Sequence, residues 1–262
     1  MSEVSTDVVV TVEDLTARYG SNLVFDSISF DVMRGEIFVI LGGSGCGKST
    51  LLKHMIGLYR PVTGRILIED EDIAIAAGDA RAGILRGIGV MYQMGALFGS
   101  MNLLDNVRLP LEVYTDLPPD AMDAIAASKL KLVDLEGYER YRPAEISGGM
   151  KKRAAIARAM ALDPAILFLD EPSAGLDPVT SAALDDLILA LSRTLGVTFV
   201  VVTHELPSIY AIADRVIMLD KETKKIIATG KPQELRDGSD NDFVRRFFNR
   251  SSGADAAVRT GS

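Results

Sequence analysis

The sequence predicts an α/β fold. A parallel core sheet covered by helices is joined to an N-terminal antiparallel β layer and an α-helical subdomain. Three observations predict it. Short apolar runs at 37–41, 166–169, 198–202 and 216–219 alternate with helical stretches near 180–195 and 206–213, the pattern of a sheet buried on both faces. A glycine-rich loop, Gly42-Gly43-Ser44-Gly45-Cys46-Gly47-Lys48-Ser49, joins the first apolar run to a helix expected over 49–56. A long block from Asn102 to about Met160 reads as helical, broken at Pro118-Pro119.

The remaining elements follow in order. Residues 8–12 and 29–32 read as strands of the antiparallel layer, which 65–68 continues after the Thr63-Gly64 turn. Residues 88–92 form another short strand. Residues 237–242 are polar and loop-like, and Phe243, Phe247 and Phe248 then line one face of a short helix. These readings make 1–249 a single domain, with the helical subdomain at about 94–160 and a C-terminal extension at about 231–249. Residues 250–262 read as a disordered tail.

Composition narrows the class. Of 262 residues, 48% are hydrophobic and 24% charged, as in ordinary globular proteins. No apolar stretch approaches the ~20 residues that span a bilayer. The first residues lack the basic segment of a secretory signal. One cysteine permits no internal disulfide and agrees with a reducing compartment. A net charge of −8 argues against a general nucleic-acid binder.

The glycine loop fills every fixed position of G-x-x-x-x-G-K-[ST], the phosphate-binding pattern. Glycines let the backbone wrap a polyphosphate and aim its N–H groups inward, and the following helix presents its positive dipole end. In that setting Lys48 serves the β- and γ-phosphates, Ser49 is a Mg²⁺ ligand, and Thr50 serves the α-phosphate. Cys46 reads as a small filler within reach of thiol reagents.

A second constellation is Asp170-Glu171, at the end of the apolar run 166–169. Asp170 is placed to orient Mg²⁺, and Glu171 to position or deprotonate a water for in-line attack. The alternative is an acidic strand end that caps the next helix. Upstream lies Ile146-Ser147-Gly148-Gly149-Met150-Lys151-Lys152-Arg153. Bare N–H groups and a hydroxyl at a helix start make an anion site. Lys151 and Lys152 read as a solvated basic face.

Together these segments resemble the ATP-binding-cassette (ABC) ATPases, over roughly residues 8–229. The 146–150 stretch resembles the family's signature motif, with Ile146 and Met150 in place of its usual leucine and glutamine. Tyr19 resembles the aromatic that stacks on adenine, and Gln93 the Q-loop glutamine, a further expected Mg²⁺ ligand. Ser173 to Asp177 resembles the D-loop, and His204 the switch histidine. The resemblance implies an ATP- and Mg²⁺-dependent P-loop ATPase. It implies a homodimer in which Ser147, Gly148 and Gly149 of one subunit cover ATP held by the other, with Asp177 also near nucleotide. A lone histidine is more often structural than catalytic, but His204 follows a sheet strand at its carboxyl end, within reach of a γ-phosphate; His54 reads as structural.

The stretch from Gln93 to Leu111, with Met150 and the 243–248 ending, resembles the ATPase of Mla (maintenance of lipid asymmetry) and related Mce-associated phospholipid transporters. That implies a peripheral subunit on the cytoplasmic face of the inner membrane, under an integral-membrane permease. It also implies a small STAS-domain protein, a lipid-binding Mce protein and phospholipid as an indirect substrate. Met94, Ala96, Leu97 and Phe98 suit a loop that grips a permease helix, although Leu97 and Phe98 could simply pack inside. An ABC ATPase for an amino acid or other small solute, or a soluble non-transport cassette, remain the alternatives.

Overall fold

The computed structural model describes residues 7–249, so the expected tail at 250–262 lies outside the described residues. Two sheets organise the chain. The first has four strands in the order β2-β1-β4-β5. β1 (Val8–Tyr19), β2 (Asn22–Met33), β4 (Thr63–Ile68) and β5 (Glu71–Asp72) pair antiparallel throughout. β1 is longer than its apolar run, because a bulge at Asp14 (φ 44°) lets it continue past Glu13-Asp14. That continuation carries Tyr19 to the strand's end.

The second sheet has six strands in the order β10-β9-β3-β8-β7-β6. β3 (Ile37–Gly42), β6 (Ile88–Met91), β7 (Ile166–Asp170), β8 (Thr198–Val202) and β9 (Arg215–Leu219) run parallel; β10 (Ile226–Gly230) adds an antiparallel edge. Its central strands separate two cores. Ile37, Val39, Leu41, Leu167, Leu169, Phe199 and Val201 face one, and Phe38, Ile40, Ile166, Phe168, Val200 and Val202 the other. Side chains alternate across a strand, so burial on both faces requires these near-continuous apolar runs.

The helices divide between the same two faces. α1 (Lys48–Met55) packs with the antiparallel sheet, as does Ile84 of α2 (Gly78–Gly87). α3 (Leu103–Tyr114), α4 (Pro119–Leu132), α5 (Gly148–Ala159), α6 (Pro178–Leu195) and α7 (Leu206–Ile212) enclose the other core. α3 and α4 meet across the Pro118-Pro119 break. α8 (Pro232–Gly238) and α9 (Asp242–Asn249) close the chain. Among the described residues, no helix is long and apolar enough to cross a membrane.

The C-terminal readings need correction. Helix α8 takes in Asp237 and Gly238, so the polar loop is shorter than 237–242. In α9 the buried pair is Val244 and Phe248, with Phe247 at its margin, while Phe243 is 39% exposed. Val244 and Phe248 are four residues apart and lie above one another on the helix.

Candidate active site

Four neighbouring parallel strands deliver the site at their carboxyl ends. β3 leads into the glycine loop, β8 into Thr203-His204, β7 into Asp170-Glu171, and β6 into Gln93. Open α/β sheets bind ligands along this edge.

The loop's shape follows from its glycines. Gly42 has φ 147°, and a Cβ there would collide with Cys46 Sγ and Leu219 O. Gly47 has φ 105°, and a Cβ would meet Val24 Cγ1 at 2.6 Å. The loop is thus pressed against β9 at Gly42 and against β2 at Gly47, with no room for a side chain at either position. α1 starts without a side-chain cap or an acidic residue in its first turn. Its positive end has no countercharge of its own. Lys48 Nζ donates to Gly42 O at 2.8 Å and Gly43 O at 3.2 Å, which holds the ammonium over the loop.

Cys46 is 2% exposed, and burial raises its thiol pKa. It is therefore inert filler, and the expected access to thiol reagents is corrected. His54 is buried, its pKa lowered by that burial, and Nδ1 hydrogen-bonds Thr50 O at 2.8 Å. It serves the packing of α1, beside Phe25 and Tyr59.

Ser49 Oγ donates to Asp170 Oδ1 at 3.4 Å. Burial pushes the Asp170 carboxyl above its ordinary range, and the Glu171 charge adds to the shift; Ser49, Lys53 and Lys48 oppose it. These two hard oxygens fit Mg²⁺, which takes few protein ligands and keeps phosphate and water oxygens. Among the described residues no group of three or more His, Cys, Asp or Glu is arranged to hold a metal.

Glu171 is the most constrained residue of the site. It has φ 48°, a left-handed conformation that costs a non-glycine residue about 1 kcal/mol or more. Its N–H donates to Val202 O at 2.8 Å, extending the sheet by one residue before the turn. Oε1 hydrogen-bonds His204 Nδ1 at 2.8 Å, and Oε2 is buried without a partner. An orphaned carboxylate oxygen of this kind calls for a water or a ligand donor. Glu171 does not cap the following helix; Asp177 does, accepting from Val179 N and Thr180 N at 3.0 Å each. A further hydrogen bond from the Thr180 hydroxyl leads the causes that hold Asp177 below the usual carboxylate range.

Tyr19 is 50% exposed, shares a 3.2 Å hydrogen bond with Thr50 Oγ1, and meets Tyr59 edge to face at 6.1 Å. It thus stands beside the start of α1 with its ring open. Ser147 caps α5 by accepting from Met150 N at 3.3 Å. Ser147 and Gly148 are exposed, whereas Gly149 is buried, and a Cβ there would strike Thr180 Cγ2. Met150 packs against the core.

Two basic residues escaped the sequence reading. Lys152 is no solvated face: it is 7% exposed, and Nζ donates to Gln93 O and, at 3.2 Å, to Glu171 O. Arg158 donates to Ala96 O at 2.7 Å and Gly95 O at 2.9 Å. The loop after Gln93 is held from its other end by buried Asn106, which donates to Phe98 O and Asn102 O and accepts from Phe98 N. On this fixed backbone Met94 is 88% and Phe98 50% exposed, while Leu97 packs inward. Helical periodicity alone signals neither clamp.

A phosphate loop and a carboxylate–histidine pair on one sheet edge, together with a second exposed helix start, define a nucleotide-hydrolysing cassette. The ABC transporter family model matches residues 25–174, and the chain belongs to that family as an ATP-hydrolysing subunit. It is 40% identical to the intermembrane phospholipid transport system ATP-binding protein MlaF of Escherichia coli, over 92% of this chain and 88% of that protein. It is 42% identical to a probable ribonucleotide transport ATP-binding protein, mkl, of Mycobacterium leprae, over 92% of this chain and 69% of that one. Among solved structures it resembles a dimeric ATP-binding cassette in a post-hydrolysis state bound to ADP and phosphate. The TM-score is 0.75 at 29% identity, covering 85% of this chain and 98% of that one.

Proposed function

We propose that this subunit powers the movement of phospholipid between the inner and outer membranes of a Gram-negative bacterium. The observation that carries this is the likeness to the phospholipid-transport protein across nearly the whole of both chains. The relative named for ribonucleotides is matched over a smaller share of its length. The clamped loop after Gln93, with Met94 and Phe98 outward, supports docking on an integral-membrane permease. The subunit sits peripherally on the cytoplasmic face of the inner membrane. A STAS-domain protein and a lipid-binding Mce protein complete the assembly.

The working unit is a homodimer with two ATP molecules between subunits, related by a two-fold axis. Tyr19 stacks on adenine, while backbone N–H groups from Gly42 to Ser49, with Thr50, cradle the phosphates. Lys48 leaves its loop carbonyls for the β- and γ-phosphates. Ser49, Gln93 and Asp170 would hold Mg²⁺, which would neutralise phosphate charge. Glu171 orients a water with Oε2 and accepts its proton as the oxygen attacks the γ-phosphorus in line and ADP leaves. His204, hydrogen-bonded to Oε1, keeps Glu171 aimed. Ser147, Gly148 and Gly149 of the partner cover the γ-phosphate, and Asp177 fixes the turn that carries the D-loop to the interface. Loss of the γ-phosphate releases the clamp, and the loop after Gln93 passes the change to the permease.

The test is reconstitution of the chain with its membrane partners in vesicles. ATP turnover is measured with phospholipid or ribonucleotides supplied as substrate. Stimulation by phospholipid, with labelled lipid transferred to an acceptor, supports the proposal; stimulation by ribonucleotides alone overturns it.

A further inference from the structure

Lys152 lies on α5, five residues beyond Ser147, and its stem runs through protein. Buried lysines ordinarily pair with a carboxylate. Lys152 makes no ion pair among the described residues; its ammonium donates to two main-chain carbonyls on other elements. One is Gln93 O, on the loop after β6. The other is Glu171 O, on the turn after β7, which also accepts from Ala174 N at 3.2 Å. Burial lowers the lysine's pKa, while the charges of Glu171 and Asp170 favour its ammonium form. Filling this space requires only a methionine-sized stem, so the buried charge calls for a role beyond packing.

The role follows from what the two carbonyls belong to. Glu171 holds a strained φ, its N–H bound to β8 and its C=O bound to α5. The direction of its side chain is therefore set from both sides. The carbonyl of Gln93 is fixed by the same ammonium. α5 itself begins at the exposed Ser147-Gly148, so any shift in its seating is carried by Lys152 to both peptides.

We propose that Lys152 is a positioning residue that makes the aim of Glu171 and Gln93 depend on the seating of α5. It rests on the reading that Ser147 covers nucleotide held by the partner. A subunit whose signature loop has closed on its partner's ATP then sets its own hydrolytic carboxylate. The two sites of the dimer accordingly respond together to ATP.

The experiment uses the full chain in its membrane complex, with Lys152→Met and Lys152→Arg. The methionine keeps the stem and removes the donors; the arginine keeps charge and donors. For Lys152→Met we expect kcat to fall about tenfold or more, with KM and ATP affinity within about threefold. Its Hill coefficient for ATP should fall toward about 1. Lys152→Arg should keep most of the rate and the cooperativity. An active, cooperative methionine variant overturns the proposal. So does a loss of rate that merely tracks lost ATP affinity or a lowered melting temperature. If the methionine variant does not fold, the arginine variant decides: rate and cooperativity retained support the role, and a folded, ATP-binding but slow variant overturns it. Sedimentation of Glu171→Gln with ATP separates the two levels. A monomer there defeats the shared-site reading itself, whereas a dimer combined with an unaffected Lys152→Met defeats only the role of Lys152.

Discussion

Two helices of this chain begin at glycine-rich loops, and their surroundings differ. The start of α1 is ringed by chemistry: Lys48 over the loop, Ser49 on Asp170, and the Glu171–His204 pair on the neighbouring strands. The start of α5 offers the exposed Ser147 and Gly148, with the Ser147 hydroxyl accepting from Met150 N. Two basic residues of its first turns point elsewhere, Lys152 to the site's carbonyls and Arg153 to Asp134 and Val133 O. In the proposed dimer one is a reaction platform and the other a lid for a platform on another molecule.

Changes to the platform should be the most severe. Glu171→Gln leaves the water without a base, and turnover should fall by about 10²–10⁴-fold, read by phosphate release. Its ATP-bound dimer should persist. Lys48→Ala removes the charge that faces the β- and γ-phosphates. ATP affinity and turnover should both drop, by about tenfold at least, measured by titration with a fluorescent nucleotide. Undiminished hydrolysis in either variant would break the assignment of the platform.

Changes to the lid act through packing or through the partner. Gly149→Val forces a side chain into Thr180 and should cost about 1–3 kcal/mol by chemical denaturation, because α5 must move away from α6. Asp185, buried on α6, sharpens the contrast through pH. Burial, helped by Asp186, raises its carboxyl to about 6, with Ser208 opposing. The folded state therefore holds this proton more tightly than the unfolded chain does. The stability this confers is full below the ordinary carboxylate pKa and is lost as pH rises through about 6. Asp185→Asn should raise the melting temperature at pH ~7.5, by about 1 kcal/mol or more in stability, with the gain shrinking toward pH ~5. Met150→Gln should be mildest, within about twofold in turnover, since Met150 packs on the core while its N–H, kept by any residue, makes the cap to Ser147.

The platform was legible in the sequence because its chemistry is local. The glycines, Lys48 and Ser49 are contiguous, and an apolar run that ends in Asp170-Glu171 announces both its strand and its edge. The antiparallel layer was legible only in part. Its first strand continues through the bulge at Asp14, where two acidic residues interrupt the apolar pattern. α2 hid because it buries only Ile84 and so shows no apolar stripe. Lys152 and Arg158 were not legible at all. Their partners are main-chain carbonyls 19 and 59 residues away for Lys152 and 62–63 for Arg158, and a carbonyl leaves no mark on sequence. Phe243 was misread because three aromatics suggest one face, while the helix seats the smaller Val244 beneath Phe248.

The shared site is tested most directly by ATP turnover per subunit of the purified full chain as it is diluted, with sedimentation of Glu171→Gln run alongside. Specific activity should fall on dilution and recover as subunits pair, and the variant should sediment as a dimer only with ATP. Constant specific activity at every concentration, from a protein that stays single with ATP bound, would contradict a lid that serves a neighbour.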